Sequence, residues 1–294
     1  AESTYYDATP SEDIPWINLN MEIIDSLLAI STIDYCIQLH SGANLKSFYA
    51  IPENDSLSNV MSSTGGAITG VITEGGAASL DSQGSWLGSI SSISPVKGYW
   101  LIAESDADLC ITDAFITDPE IEYTLHTGAN LISFPSDGIF DLSDALPDNI
   151  EFSVNGIITE GGAASQDSLG SWLGSLSTFN GGKGYWMITT DNISFSFDFS
   201  TLSRKKTSAQ TGLIYPAGFE VNQSTSQAFY FVNKISFDNN SVNDGWILAY
   251  HGNTLIGARK WEGKMIDIPV MGDDGNVYSE GYIKSSEIPH FKHL

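Results

Sequence analysis

Two histidines are each followed by a hydroxyl residue, His40–Ser41 and His126–Thr127, a pairing from which a base and a nucleophile could be built. Neighbours on a strand project to opposite faces, so both histidines read as structural. Glu74 and Glu160 each stand in a TEGG stretch. One glutamate per stretch does not supply a general acid and a general base to one site, and both read as solvated loop residues. The GGKG run at 181–184 lacks the spacing of a phosphate loop, and Tyr185 follows where a magnesium-binding hydroxyl is needed. The chain contains no G-x-S-x-G, H-E-x-x-H or C-x-x-C stretch. The expectation is a protein that is not an enzyme and carries no cofactor.

Asp273, Asp274 and Asn276 could offer oxygens to calcium, in the role of an extracellular stabiliser. The order of an EF-hand loop is absent, and Asp274-Gly275 reads better as a turn. Trp86 and Trp172 are a matched pair, as are Trp100 and Trp186. Displayed outward, these four would stack on sugar rings. The strand holding Trp100 is apolar on both faces, which favours core packing over display. Cys36 and Cys110 are the only cysteines. They form either one disulfide, which requires an oxidising compartment, or two small buried apolar residues; the disulfide is favoured. Asn54, Asn192, Asn222 and Asn239 begin glycosylation sequons.

These residues sit in a tandem duplication. Residues 72–89 (ITEGGAASLDSQGSWLGS) return at 158–175 (ITEGGAASQDSLGSWLGS) with 16 of 18 positions identical. LHSGANLKSF at 39–48 matches LHTGANLISF at 125–134, and KGYW at 97–100 matches KGYW at 183–186, all at an offset of 86 residues. A fixed period of this kind outranks any isolated motif. Within each copy, short apolar runs alternate with Gly, Ser and Asn, as in a small β-rich sandwich or barrel. The alternation is clearest from Ile193 to Phe199, and a short helical stretch is predicted at Asp141 to Leu146.

The unit resembles the repeats of secreted bacterial surface proteins that pair a G-x-N-L-I-S motif with a downstream G-K-G-Y-W. The stretches that carry the resemblance are Gly42 to Ser47, with Lys46 in place of the usual Ile, Gly128 to Ser133, Lys97 to Trp100, and Gly182 to Trp186. It covers a little over half the chain and implies a secreted β module rather than an activity. Ala43 and Ala129 depart from it, standing where Trp is usual. Residues 213–294, with alternating runs at Gln227 to Val232, Trp246 to Tyr250, Leu255 to Trp261 and Ile266 to Met271, resemble a β domain carried by similar secreted proteins.

The reading is therefore mainly β. Residues 35–118 and 119–199 are two duplicated sandwich- or barrel-like domains, 200–212 is a linker, and 213–294 is a C-terminal β-sandwich-like domain. Residues 1–34 have no counterpart in the duplication.

Composition narrows the partners. With 36 acidic against 12 basic residues the net charge is −24, which repels nucleic acid and anionic lipid. No apolar run is long enough to insert in a membrane. A chain beginning at Ala1 is read as a mature form, secreted to the cell surface or beyond after removal of a signal peptide. The apolar residues of segment 1–34 cannot bury themselves alone. They pack on their own first repeat or add a strand to a neighbouring copy. The second choice makes this chain the subunit of a pilus-like filament, a homopolymer. Its expected subunit contacts are Tyr5, Tyr6, Ile14, Trp16 and Ile17, with the basic run Arg204, Lys205 and Lys206 meeting an acidic neighbour. The alternative is an adhesive protein whose partners are glycans, held by the repeated aromatics.

Overall fold

Strand-forming runs closed by glycine turns produce what their patterns demand. The computed structural model describes residues 32–199, 215–237 and 240–294, and it is mainly β, with antiparallel sheets that do not close into barrels. In the first repeat the strands are β1 (Thr32–Leu39), β2 (Gly42–Ser47), β3 (Ala50–Pro52), β4 (Ile68–Thr73), β5 (Gly76–Leu80), β6 (Trp86–Gly88), β7 (Gly98–Ala103) and β8 (Ala107–Ile116). Five of them form a sheet in the order β2-β7-β4-β5-β6, and three form another, β1-β8-β3. Phe48, Val71, Tyr99, Leu101, Leu109 and Ile111 fill the core between the two. The first strand begins at Thr32, inside the segment read from sequence as 1–34.

The second repeat follows the same plan with β9 (Tyr123–Leu125), β10 (Gly128–Ile132), β11 (Ile139–Asp141), β12 (Val154–Thr159), β13 (Gly162–Gln166), β14 (Trp172–Gly174), β15 (Thr178–Asn180), β16 (Tyr185–Thr189) and β17 (Ile193–Phe195). Its five-stranded sheet, β10-β16-β12-β13-β14, matches the first strand for strand. The opposing layer differs in part. The pairing of β17 with β9 keeps the register of β8 with β1, whereas the ladder of β11 with β15 has no counterpart among the sheets of the first repeat. Residues 136–138, the counterpart of β3, are not a strand. The predicted alternation over 193–199 is paired only through Phe195, though Phe197 keeps the inward face and meets Phe134, Phe179 and Tyr123 edge to face. The predicted helix at Asp141 to Leu146 is one turn, Leu142–Ala145.

The C-terminal domain contains β18 (Gln227–Val232), β19 (Ile235–Phe237), β20 (Asn240–Val242), β21 (Gly245–His251), β22 (Thr254–Trp261), β23 (Ile266–Met271) and β24 (His290–His293). Its sheets are β22-β21-β24, β18-β23 and the β19-β20 hairpin, around a core of Ile247, Ile256, Trp261, Ile268 and Val270. Among the described residues no helix is long and apolar enough to cross a membrane.

Candidate functional site: a reciprocal interface between the repeats

The TEGG stretch of each copy is the tip of a β-hairpin. Thr73 pairs with Gly76 across β4 and β5, which leaves Glu74 and Gly75 as a two-residue turn, and Gly75 takes the positive φ of 74° that glycine adopts without strain. Thr159 and Gly162 frame Glu160 and Gly161 in the same way. Each tip delivers its glutamate to the opposite repeat. Glu160 Oε1 lies 2.8 Å from His40 Nε2, and Glu160 Oε2 accepts the Leu45 N–H at 3.0 Å. In return Glu74 Oε1 meets His126 Nε2 at 2.5 Å, and Glu74 Oε2 accepts the Leu131 N–H at 3.1 Å. The expectation of solvated loop glutamates is corrected: Glu160 is 19% exposed and Glu74 is 36% exposed.

The rest of the interface repeats this exchange. Gly184 N–H donates to Leu45 O, and Ser47 N–H donates to Gly182 O. Ser47 Oγ donates to Lys183 O at 2.6 Å, and Ser133 Oγ donates to Pro95 O at 2.5 Å. A Cβ on Gly98 would stand 2.8 Å from Ile132 O, and one on Gly184 would stand 2.8 Å from Lys46 O. The two shared motifs thereby acquire a physical meaning. The serine of GANLxS bonds the KGYW loop of the other repeat, and the glycine of KGYW admits the approaching backbone. Asn44 and Asn130 hold the preceding turn, each accepting from the histidine N–H and donating to its carbonyl.

Between these contacts the outer faces of the two five-stranded sheets meet. Leu45, Trp100 and Leu131 are buried there, with Ile72, Ile102 and Trp186 packed around them. Trp100 is 2% exposed, so its candidacy for stacking on a glycan is corrected: the other repeat covers that face of β7. Trp86 and Trp172 are half-buried against the cores of their own repeats, and Trp172 Nε1 donates to Glu151 at 2.7 Å.

The surroundings of both histidine rings favour the protonated form. His40 Nδ1 faces Ser41 O at 2.7 Å while Nε2 faces Glu160. His126 Nδ1 faces Thr127 O at 2.8 Å while Nε2 faces Glu74. A carbonyl and a carboxylate only accept, so the geometry favours the imidazolium, in which both nitrogens donate. The hydrogen bond to Glu160 raises the His40 pKa, and the bond to Glu74 raises that of His126. Burial works against the Glu160 charge, yet Lys46, His40 and the Leu45 amide together hold its pKa at about 2. Neither hydroxyl faces a ring nitrogen. Ser41 Oγ donates to Glu104 O and Thr127 Oγ1 to Asn192, so neither pair has a nucleophile poised on its base.

Cys36 and Cys110 are cross-strand partners on β1 and β8, joined by a disulfide with their Cα atoms 4.0 Å apart. Cys36 is exposed, unlike a buried apolar residue. Asp274 does not present itself to calcium. Its Oδ2 accepts from Thr225 N, Thr225 Oγ1 and Tyr278 OH, and its Oδ1 accepts from Asn276 N, Asn276 Nδ2 and Ser279 Oγ. That carboxylate organises the loop, and Asp273 adds a turn by accepting the Gly275 N–H. No group of three or more His, Cys, Asp or Glu is placed to hold a metal among the described residues. Of the sequons, Asn192 accepts the Thr127 N–H, Asn222 donates to Tyr278 O, and Asn239 lies outside the described residues. Tyr5, Tyr6, Ile14, Trp16, Ile17, Arg204, Lys205 and Lys206 lie outside them as well.

A contact that sequence reasoning missed joins the C-terminal domain to the second repeat. Asp267 is fully buried and pairs with Arg259 at 2.8 Å. Arg259 Nη2 also donates to Gly161 O at 2.7 Å, and Ser175 donates to Asp267 through both its N–H and its hydroxyl. The docking face on the second repeat is thus made by its duplicated block. Arg259 is one of few basic residues inside a strand of this acidic chain, the only signal that could have pointed to it. No family model matches this chain, and no curated protein or solved structure shows a significant match to it.

Proposed function

We propose that this chain is a structural subunit of an extracellular bacterial filament, a homopolymer in which residues 1–31 of one copy complement the β structure of the next. One observation carries the reading. An apolar groove of about 370 Å³ lies between the repeats, lined by Ile33, Tyr49, Ile116, Pro119, Phe140 and Phe199. It runs beside residues 136–138, where the second repeat lacks the counterpart of β3, and beside Thr32, where β1 begins. Exposed apolar surface next to a missing strand is what strand addition uses, with backbone bonds for affinity and alternate side chains filling the groove. A head-to-tail contact that does not close on itself continues into a fibre. The Cys36–Cys110 disulfide and the net charge of −24 suit a protein working outside the cell.

Electron microscopy and sedimentation of the full chain, beside a chain lacking residues 1–31, test the proposal. Filaments are expected from the full chain alone, and a peptide of residues 1–31 should bind the shortened chain and block growth. Filaments that form without residues 1–31, or a full chain that stays monomeric at high concentration, would rule this assembly out.

A further inference from the structure

The two repeats serve as controls for one another, and one position breaks their equivalence. At Glu160, the Oε2 that accepts the Leu45 amide also accepts Lys46 Nζ at 3.2 Å. Lys46 is 14% exposed, its stem laid against the interface and its charged tip on the carboxylate. The residue 86 positions on is Ile132, which has no charged tip. A cavity of about 320 Å³ opens there, lined by Glu74, Lys97, His126, Asn130, Leu131 and Ile132.

We infer that this cavity is a binding site for a primary alkylammonium group, the chemistry shared by a lysine side chain and a free aliphatic amine. Ile132, Leu131 and Leu125 give an apolar wall for an aliphatic stem, and Glu74 at its end gives the acceptor. The charge around it is compatible. Lys183, the counterpart of Lys97, lies close enough to Glu160 to feel both that carboxylate and Lys46. One carboxylate in this fold therefore already holds a histidine and a lysine with a second lysine nearby. An anion is disfavoured because both nitrogens of His126 are already committed, to Thr127 O and Glu74. A divalent metal is disfavoured because the single carboxylate of the lining falls short of the several oxygen ligands such an ion needs. This inference is independent of filament assembly.

The test is an NMR titration of the full chain with n-butylammonium chloride, following the histidine ring signals against sodium chloride at equal ionic strength. A saturable shift of the His126 signals is expected. Ile132→Lys places a tethered ammonium in the cavity and should abolish that shift. Lys46→Ile should open the equivalent cavity at Glu160, so that His40 responds too and two amines bind per chain. No saturable shift beyond that of sodium chloride, or a shift unchanged in Ile132→Lys, would overturn the assignment. Sedimentation identifies the source: butylammonium that dissolves self-association points to a lysine of a second copy, and binding without that effect points to a free amine.

Discussion

Glu160 reaches from the second repeat to His40 of the first at 2.8 Å, and Glu74 returns the contact to His126. A duplication has thereby become a two-way clasp, each copy giving one hairpin tip and receiving the other. The two halves differ in strength. Glu160 is the more buried and holds Lys46 as well as His40. Charge-assisted hydrogen bonds at partly buried sites contribute about 1.5–3 kcal/mol, and exposed pairs ~1 kcal/mol or less. Glu160→Gln should therefore lower unfolding stability by about 2 kcal/mol, and Glu74→Gln should have the smaller effect. Urea denaturation of the two variants checks the order. An equal loss from both would contradict this account of the clasp.

The same clasp sets a pH dependence. The folded pKa of each histidine is raised above 6.5, so its contribution is fully present below pH 6.5 and is lost as pH rises through the folded value. Glu160 is shifted the other way, from 4.5 to about 2, so its contribution is present above pH 4.5 and is lost as pH falls towards 2. The melting temperature should plateau between about pH 4.5 and 6.5 and decline on the alkaline side. Self-repulsion of a chain with net charge −24 adds to that decline, so the decisive comparison is with a His40→Gln, His126→Gln variant. Its melting temperature should fall less between pH 5.5 and 8.5 than that of the parent chain.

Much of the strand content was legible because one-dimensional periodicity reports which face a residue takes. The alternation at Gln227 to Val232 and Ile266 to Met271 became β18 and β23 with those ends. The two-faced apolar run at Trp100 became a strand buried on both sides. Periodicity does not report which surface covers a face. That the second face of β7 meets the other repeat depends on pairings such as Leu45 with Glu160, 115 residues apart. Glu74 and Glu160 look like solvated turn residues locally, since the acceptor role comes wholly from the partner repeat. Arg259 and Asp267 were illegible for the same reason.

Gly184 tests whether the motif glycine serves the interface or merely the turn. A methyl group there would lie 2.8 Å from Lys46 O, a backbone atom that cannot swing away. Gly184→Ala should cost about 1–3 kcal/mol, the usual range for overpacking a close contact. It should also weaken the Glu160 clasp, so that combining it with Glu160→Gln costs less than the sum of the single changes. Strict additivity in this double-mutant cycle would separate the glycine from the interface.

The disulfide closes a sequence separation of 74 residues and ties β1 to β8 at the edge where the chain enters the first repeat. Replacing both cysteines by serine should lower stability by about 2–4 kcal/mol. Because Cys36 is exposed, a reductant should produce the same loss in the parent chain and no change in the serine variant. A parent chain whose melting is indifferent to reductant would show that the bridge constrains little in the unfolded state.

Arg259 is the last element whose removal should have a distinctive signature. Asp267 is wholly buried, and its charge is balanced by Arg259 and by two donors from Ser175. Arg259→Ala leaves that carboxylate buried without its cation, a change that typically costs about 3–5 kcal/mol. The loss should fall mostly on docking, since Arg259 also donates to Gly161 of the second repeat. Calorimetry should then resolve the C-terminal domain as a separate, earlier transition, where the parent chain melts the second repeat and that domain together. Adding Asp267→Asn to Arg259→Ala removes the stranded charge and should recover part of the stability. It should not restore the coupled transition, because Gly161 O still lacks its donor. Recovery of both together would assign the arginine to charge balance alone and not to holding the two domains in contact.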